Sequence, residues 1–233
     1  MCVMALTVYD DLEQGTDEWL QARCGVLTAS VIGKLVTPTG KIANNETVRR
    51  LVADLLSQRI TGVVEEIPQT YAMQRGHEDE IEAKIAYVDQ IAPVKEIGFM
   101  VEDRWGFKIG YSPDGLIGDT GLIECKSRAH GLQLETICSR DVPAEYMGQI
   151  QTGLMVSGRE WLDFISFPAF GGGKMMVKRV FPDPEYQALL IDAATQFETR
   201  LAEKQAEYQT ALNDPALRFI DVERRAMEED IVI

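Results

Sequence analysis

The amino-acid sequence predicts an α/β layered domain of the α+β kind, in which a mixed central sheet is flanked by helices. Three observations predict it. Apolar residues recur at helical spacing over residues 46–60 and 71–88, and from Val94 the pattern changes to short apolar runs. A long charged stretch of helical character then runs from about Pro184 to Leu212.

The elements follow in order. Thr16-Asp17-Glu18 before Trp19 and Leu20 reads as a capped helix start, and Thr28-Ala29-Ser30 before Val31 reads as a second. The two longer helices come next. The runs VKEIGFMVED, WGFKIGY, LIG and LIECKS then read as short strands of a meander. A helix is expected from about Ala144 to Val156. WLDFISF and MMVKRVF follow as two strands around a turn at Gly171-Gly172-Gly173. No repeat or linker divides the chain, so one domain over residues 1–233 is expected.

Composition excludes several classes of function. With 233 residues, 45% hydrophobic and 26% charged, this is an ordinary globular composition. No apolar run approaches the roughly 20 residues that a membrane helix needs, so no membrane role is expected. Cys2, Cys24, Cys125 and Cys138 show no zinc-type spacing, and the N-terminal stretch turns acidic too early for a signal peptide. Both point to a reducing cytoplasm. The net charge of -14 argues against coating nucleic acid by bulk electrostatics, so a polyanion would have to meet a local basic patch or metal ions.

The chemistry concentrates in GYSPDGLIGDTGLIECKSR, residues 110–128, where Asp114, Glu124 and Lys126 stand among glycines and aliphatic residues. Burying such charges is costly unless each is paired. Gly118-Asp119-Thr120-Gly121 signals a hairpin turn, and the two-residue period of a strand puts Leu122, Glu124 and Lys126 on one face and Ile123, Cys125 and Ser127 on the other. Ideal pairing places Asp114 opposite Cys125, so an irregularity at Ser112-Pro113 is needed to aim it at Glu124. Two converging carboxylates make a hard-oxygen site for Mg²⁺ or Mn²⁺, which take few protein carboxylates and complete their shell with water and phosphate. A lysine beside them can serve a metal-bound water, the chemistry of phosphodiester hydrolysis. The alternative is a cross-face ion pair between Glu124 and Lys126, with Asp114 a turn residue.

Pro113-Asp114 followed by Glu124-x-Lys126 resembles the PD-(D/E)xK nuclease signature. In chain order, DEWLQARCGVLTAS, QRGHEDEIEAK, SPDGLIGDTGLIECK and EYMGQIQTGLMVSGREW resemble the phage λ exonuclease (YqaJ-type viral recombinase) family. The resemblance implies a restriction-endonuclease-like core and a Mg²⁺-dependent 5′→3′ exonuclease that acts on linear double-stranded DNA ends and leaves a 3′ single-stranded tail for recombination. It implies that Asp114, Glu124 and the backbone carbonyl of Cys125 bind the metal, with Mn²⁺ able to substitute, and that Lys126 serves the attacking water. Glu80 matches the family's acidic helix residue, which implies an outer metal ligand or water contact, with Glu78, Asp79 and Glu82 as neighbouring alternatives and an i,i+4 pair with Lys84 as the structural one. Gln149 matches the glutamine that approaches the site; Gln151 is the weaker candidate. Arg23, with Thr28 and Ser30 at the expected helix start, could converge on one anion, and in the resembling family the arginine and serine that match Arg23 and Ser30 hold a 5′-phosphate; the alternative is a plain helix cap and a salt bridge from Arg23 to Asp17 or Glu18. The family further implies a homotrimeric ring, a single-strand annealing partner, and a phage or prophage gene expressed in a bacterial cytoplasm. Competing functions are an endonuclease of the same superfamily and a non-catalytic DNA-binding relative.

Other features are discounted. His77 and His130 lack ligand spacing, and the triple glycine lacks the Lys-Ser/Thr of a phosphate loop. The missing cysteine cluster weighs against an iron–sulfur nuclease. Trp19, Trp105 and Trp161 are expected in the core.

Overall fold

The computed structural model describes residues 6–65 and 70–222; Cys2 and the start of the N-terminal stretch lie outside the described residues. The elements are β1 (Thr7–Tyr9), α1 (Asp17–Ala22), β2 (Leu27–Thr28), α2 (Ala29–Ile32), α3 (Glu46–Thr61), α4 (Tyr71–Gln90), β3 (Phe99–Glu102), β4 (Ile109–Tyr111), β5 (Gly115–Ile117) and β6 (Gly121–Arg128). They continue with α5 (His130–Ser139), α6 (Ala144–Ser157), β7 (Trp161–Pro168), β8 (Met176–Val180) and α7 (Pro184–Leu212). The mixed α+β architecture is the one expected. Among the described residues, no helix is long and apolar enough to cross a membrane.

The strands form two mixed sheets of four, in the orders β1-β3-β4-β2 and β5-β6-β7-β8. The expected meander is therefore divided between β4 and β5. Ser112 and Pro113 fall at that division, and a proline has no N–H to give a continuing ladder. In the second sheet β6 runs parallel to β7 through the crossover α5–α6, and β8 returns antiparallel around Gly171-Gly172-Gly173, the expected hairpin turn.

Sheet β5-β6-β7-β8 separates two hydrophobic clusters. Leu122, Leu162 and Phe164 pack with α3, α6 and α7 on one side, while Ile123, Cys125 and Ile165 pack against Ala83 and Tyr87 of α4 on the other. The alternation along LIECKS is thus the one its period predicts, and Glu124 and Lys126 point to the α6 side.

The β5–β6 register differs from the ideal pairing. Leu116 pairs with Leu122 and Ile117 with Gly121, a three-residue loop with Gly118 at positive φ, and the register continued by one residue brings Asp114 level with Glu124. No bulge is required. Arg159 locks this turn by donating from Nη1 to the carbonyls of Gly118 (2.9 Å) and Gly121 (2.7 Å).

Other elements depart from expectation. Strand β1 has three exposed residues, too few to show a period. Helix α5 leaves no inward apolar period in the sequence because its polarity is inverted: Gln133 and Thr136 face inward while Leu132, Leu134 and Ile137 are exposed. Gln133 is satisfied there by the carbonyls of Ser166 (3.0 Å) and Lys174 (2.7 Å). The second capped helix is only four residues long, and Thr28 makes no side-chain capping bond. Thr16 does cap α1, accepting from Trp19 N at 3.3 Å.

Candidate active site

The segments converge because two helices meet at glycine. A Cβ built on Gly148 of α6 would stand 2.5 Å from the Cα of Gly33, just past α2, so only glycine permits this approach. It carries Thr28 and Ser30 toward Gln149 and, through it, toward Glu124. A cavity of about 160 Å³ results, whose lining includes Arg23, Thr28 and Ser30 together with Asp114, Glu124, Lys126 and Gln149.

Glu124 is fully buried, and its Oε1 accepts from Lys126 Nζ at 2.6 Å and from Gln149 Nε2 at 2.5 Å. Its Oε2 lies 3.4 Å from the hydroxyl of Tyr111. Asp114 Oδ2 accepts from the backbone N–H of Cys125 at 2.6 Å. Among the described residues, strand β6 has no strand partner on the β5 side beyond Ile123, and a strand residue turns its N–H and C=O toward the same side. The Cys125 carbonyl therefore faces the same open edge as Asp114.

The electrostatics show two carboxylates in conflict. Burial, then the charges of Glu124 and Glu80, push the Asp114 pKa well above its usual value. Burial also raises that of Glu124, against the opposing pull of Lys126. For Lys126, burial acts downward, but Glu124 and Asp114 outweigh it and hold the ammonium protonated. A cation between the carboxylates would relieve this repulsion. Among the described residues no three or more His, Cys, Asp or Glu gather into a ready-made cage. Two carboxylates and a main-chain carbonyl at one strand edge are a donor set that would suit Mg²⁺ with water and phosphate in the remaining positions.

The other predicted residues are placed as follows. Glu80 does not line the cavity; it pairs with Lys84 at 3.1 Å, as the helix-pair alternative had it, although its charge still reaches Asp114 and Glu124. Asp79 accepts from Ser127 Oγ on the opposite face of β6, and Glu78 from Gln74 at the helix surface. Gln151 is turned away, holding Phe181 O and Asp183 N. Arg23 does not pair with Asp17 or Glu18. It donates to Ser112 Oγ at 3.0 Å and stacks 4.0 Å from the centre of the Trp19 ring, and burial lowers its pKa to about 10. Thr28 and Ser30 are hydrogen-bonded to each other through their hydroxyls (3.1 Å). With α2 only four residues long, any anion here meets a guanidinium and two hydroxyls rather than the dipole of a helix.

Sequence reasoning missed Tyr111, Ser112, Gln14 and the position of Trp19. Trp19 is a wall of the cavity rather than core, its Nε1 donating to Ser112 Oγ at 3.0 Å. Gln14 donates to the carbonyl of Pro113 at 2.9 Å and so holds the residue that precedes Asp114. No local signal marks these four, because each acts through a contact distant in sequence.

Residues 18–160, more than half of the chain, match the model of the YqaJ-like viral recombinase domain. An alkaline exonuclease from Laribacter hongkongensis is 30% identical, with 84% of this chain and 100% of that one covered at a TM-score of 0.70. A second structure of that enzyme, in complex with dAMP, matches at the same identity and coverage with a TM-score of 0.71. A phage-related exonuclease from Haemophilus somnus, 15% identical over 77% of this chain and 96% of that one (TM-score 0.54), shares the fold. No curated protein sequence matches the chain. Fold, site and matches together define a nuclease, and therefore a hydrolase. The chain belongs to the YqaJ-like viral recombinase family.

Proposed function

We propose that this nuclease is a Mg²⁺-dependent exonuclease that enters linear double-stranded DNA at its ends and digests one strand 5′→3′, leaving a 3′ single-stranded tail for recombination. The observation that carries the proposal is the shared cavity, whose lining includes both a guanidinium and two hydroxyls (Arg23, Thr28 and Ser30) and the carboxylates of Asp114 and Glu124. A terminal phosphate held by the first would set the adjacent phosphodiester before the second.

Asp114, Glu124 and the Cys125 carbonyl would hold Mg²⁺, for which Mn²⁺ would substitute, and Glu80 would have to turn from Lys84 to serve as the outer acidic group. When bound, the ion supplies Lewis-acid polarisation of the phosphate and a reactive water at neutral pH. Lys126 hydrogen-bonds the attacking water and offsets the negative charge that develops on the phosphate. Gln149 donates to Glu124 and fixes the orientation of its carboxylate. The whole of residues 1–233 serves as one nuclease domain. A homotrimeric ring around DNA would let a chain of net charge -14 gather its few basic residues at a central channel, with the acidic surface turned outward. The setting is the cytoplasm of a bacterial host carrying the phage or prophage, with a single-strand annealing protein as partner for the exposed tail.

The polarity is tested at Arg23. Arg23→Ala should slow digestion of 5′-phosphorylated duplex by about tenfold or more beyond any effect on 5′-hydroxyl duplex, because a charge-assisted contact of roughly 1.5–3 kcal/mol exists only with the phosphate. Initial rates on the two substrates, each labelled at one end, decide it. Equal slowing on both, or loss of a 3′ label first, would contradict the assignment.

A further inference from the structure

Phe170 lies outside the machinery described above. It stands between β7 and the triple glycine with φ at 68°, and apart from Arg140 at a helix end it is the only non-glycine residue of positive φ among the described residues. Its ring is 63% exposed, yet it is held in place. The Arg75 guanidinium lies 4.6 Å from its centre, and the imidazole of His130 meets it edge-on at 5.9 Å. A hairpin turn needs neither an aromatic side chain nor a left-handed conformation at this position, since the three glycines already supply the reversal.

The location is informative. Lys126 pairs with Ser166 and Arg128 with Pro168, so Phe170, in the turn that follows the ladder, lies no more than about 13 Å along the chain from the level of Lys126. Arg75 is tied back to that strand through Asp79, 3.8 Å away, which accepts from Ser127 beside Lys126. Arg75 Nε is buried and has no hydrogen-bond partner among the described residues. A rigid exposed aromatic ring, a guanidinium on its face and a nuclease site a few nucleotides away are the components of a platform for single-stranded nucleic acid.

We propose that Phe170, supported by Arg75 and His130, stacks on an unpaired nucleobase of a DNA strand passing the active site. The ring binds without regard to sequence, since every base presents a π-face, and the guanidinium faces the phosphates that flank it. This assignment rests on the reading of the protein as a DNA exonuclease. It is tested separately from that reading, by binding without metal.

The experiment titrates the full chain, in EDTA, into a single-stranded oligonucleotide carrying 2-aminopurine, whose fluorescence is quenched on stacking. Wild type should quench it. Phe170→Ala should bind about fivefold or more weakly with the quenching lost, and Phe170→Tyr should restore both. Unchanged thermal unfolding of Phe170→Ala, expected for an exposed side chain, excludes loss of fold as the cause. Wild-type affinity and quenching in Phe170→Ala, or no quenching by wild type, would overturn the platform. Failure of the nuclease reading would instead appear as no Mg²⁺-dependent digestion by wild type.

Discussion

Glu124→Ala should reduce Mg²⁺-dependent cleavage by about a thousandfold or more, the consequence of losing metal-derived stabilisation of several kcal/mol in the transition state. Glu124 is completely buried and is joined to Lys126, Gln149 and Tyr111, so no other carboxylate can take its place. Glu124→Gln preserves volume and separates chemistry from packing; it should lose activity as severely. Asp114→Asn should be equally inactive, yet the metal-free protein should melt no lower than wild type. Burial and the neighbouring carboxylates oppose ionisation of Asp114, and the amide removes that conflict. Single-turnover digestion at saturating Mg²⁺, paired with thermal unfolding in EDTA, measures both effects. Wild-type digestion by either Glu124 variant would remove the site from the account.

Lys126→Met should slow the chemical step by roughly 10²–10⁴-fold, the range of a positioned group that assists proton transfer at a reacting water. Unlike the carboxylate variants, it should keep the rise in melting temperature that Mg²⁺ produces by binding the folded state. The variant carries a second cost. Among the described residues Lys126 is the only cation paired with the buried Glu124, and breaking such a pair destabilises by about 3–5 kcal/mol when nothing else compensates. Gln149 and Tyr111 still donate to Glu124, so the loss should fall below that range and should shrink when Mg²⁺ is present. A rate within twofold of wild type would show that Lys126 is a structural counter-ion only.

The site was legible in the sequence where its residues share one strand or one helix turn. The two-residue period placed Glu124 and Lys126 together, and the turn at 118–121 brought Asp114 to them, although the register was one residue off because a three-residue loop replaced the ideal turn. Helical position separated Gln149 from Gln151. Contacts between remote segments were not legible. Ser112 joins Arg23 and Trp19, Gln14 holds Pro113, and Gly33 meets Gly148 through absent side chains. None of these leaves a periodic trace. The same holds for α5, whose inward face is polar because Gln133 answers backbone carbonyls of Ser166 and Lys174. A pattern-based reading treats an inward glutamine as solvent-facing and loses the helix.

If one cavity reads a DNA end and cuts beside it with the help of a metal, the form of the substrate and the cation together decide digestion. The most direct test offers the protein linear duplex, labelled at the 5′ or the 3′ end, alongside the same sequence as a covalently closed circle, each with Mg²⁺ and with EDTA. Only the linear form should be digested, only with Mg²⁺, and the 5′ label should be released first. Cleavage of closed circles, digestion in EDTA, or release that begins at 3′ ends would contradict that reading of the cavity.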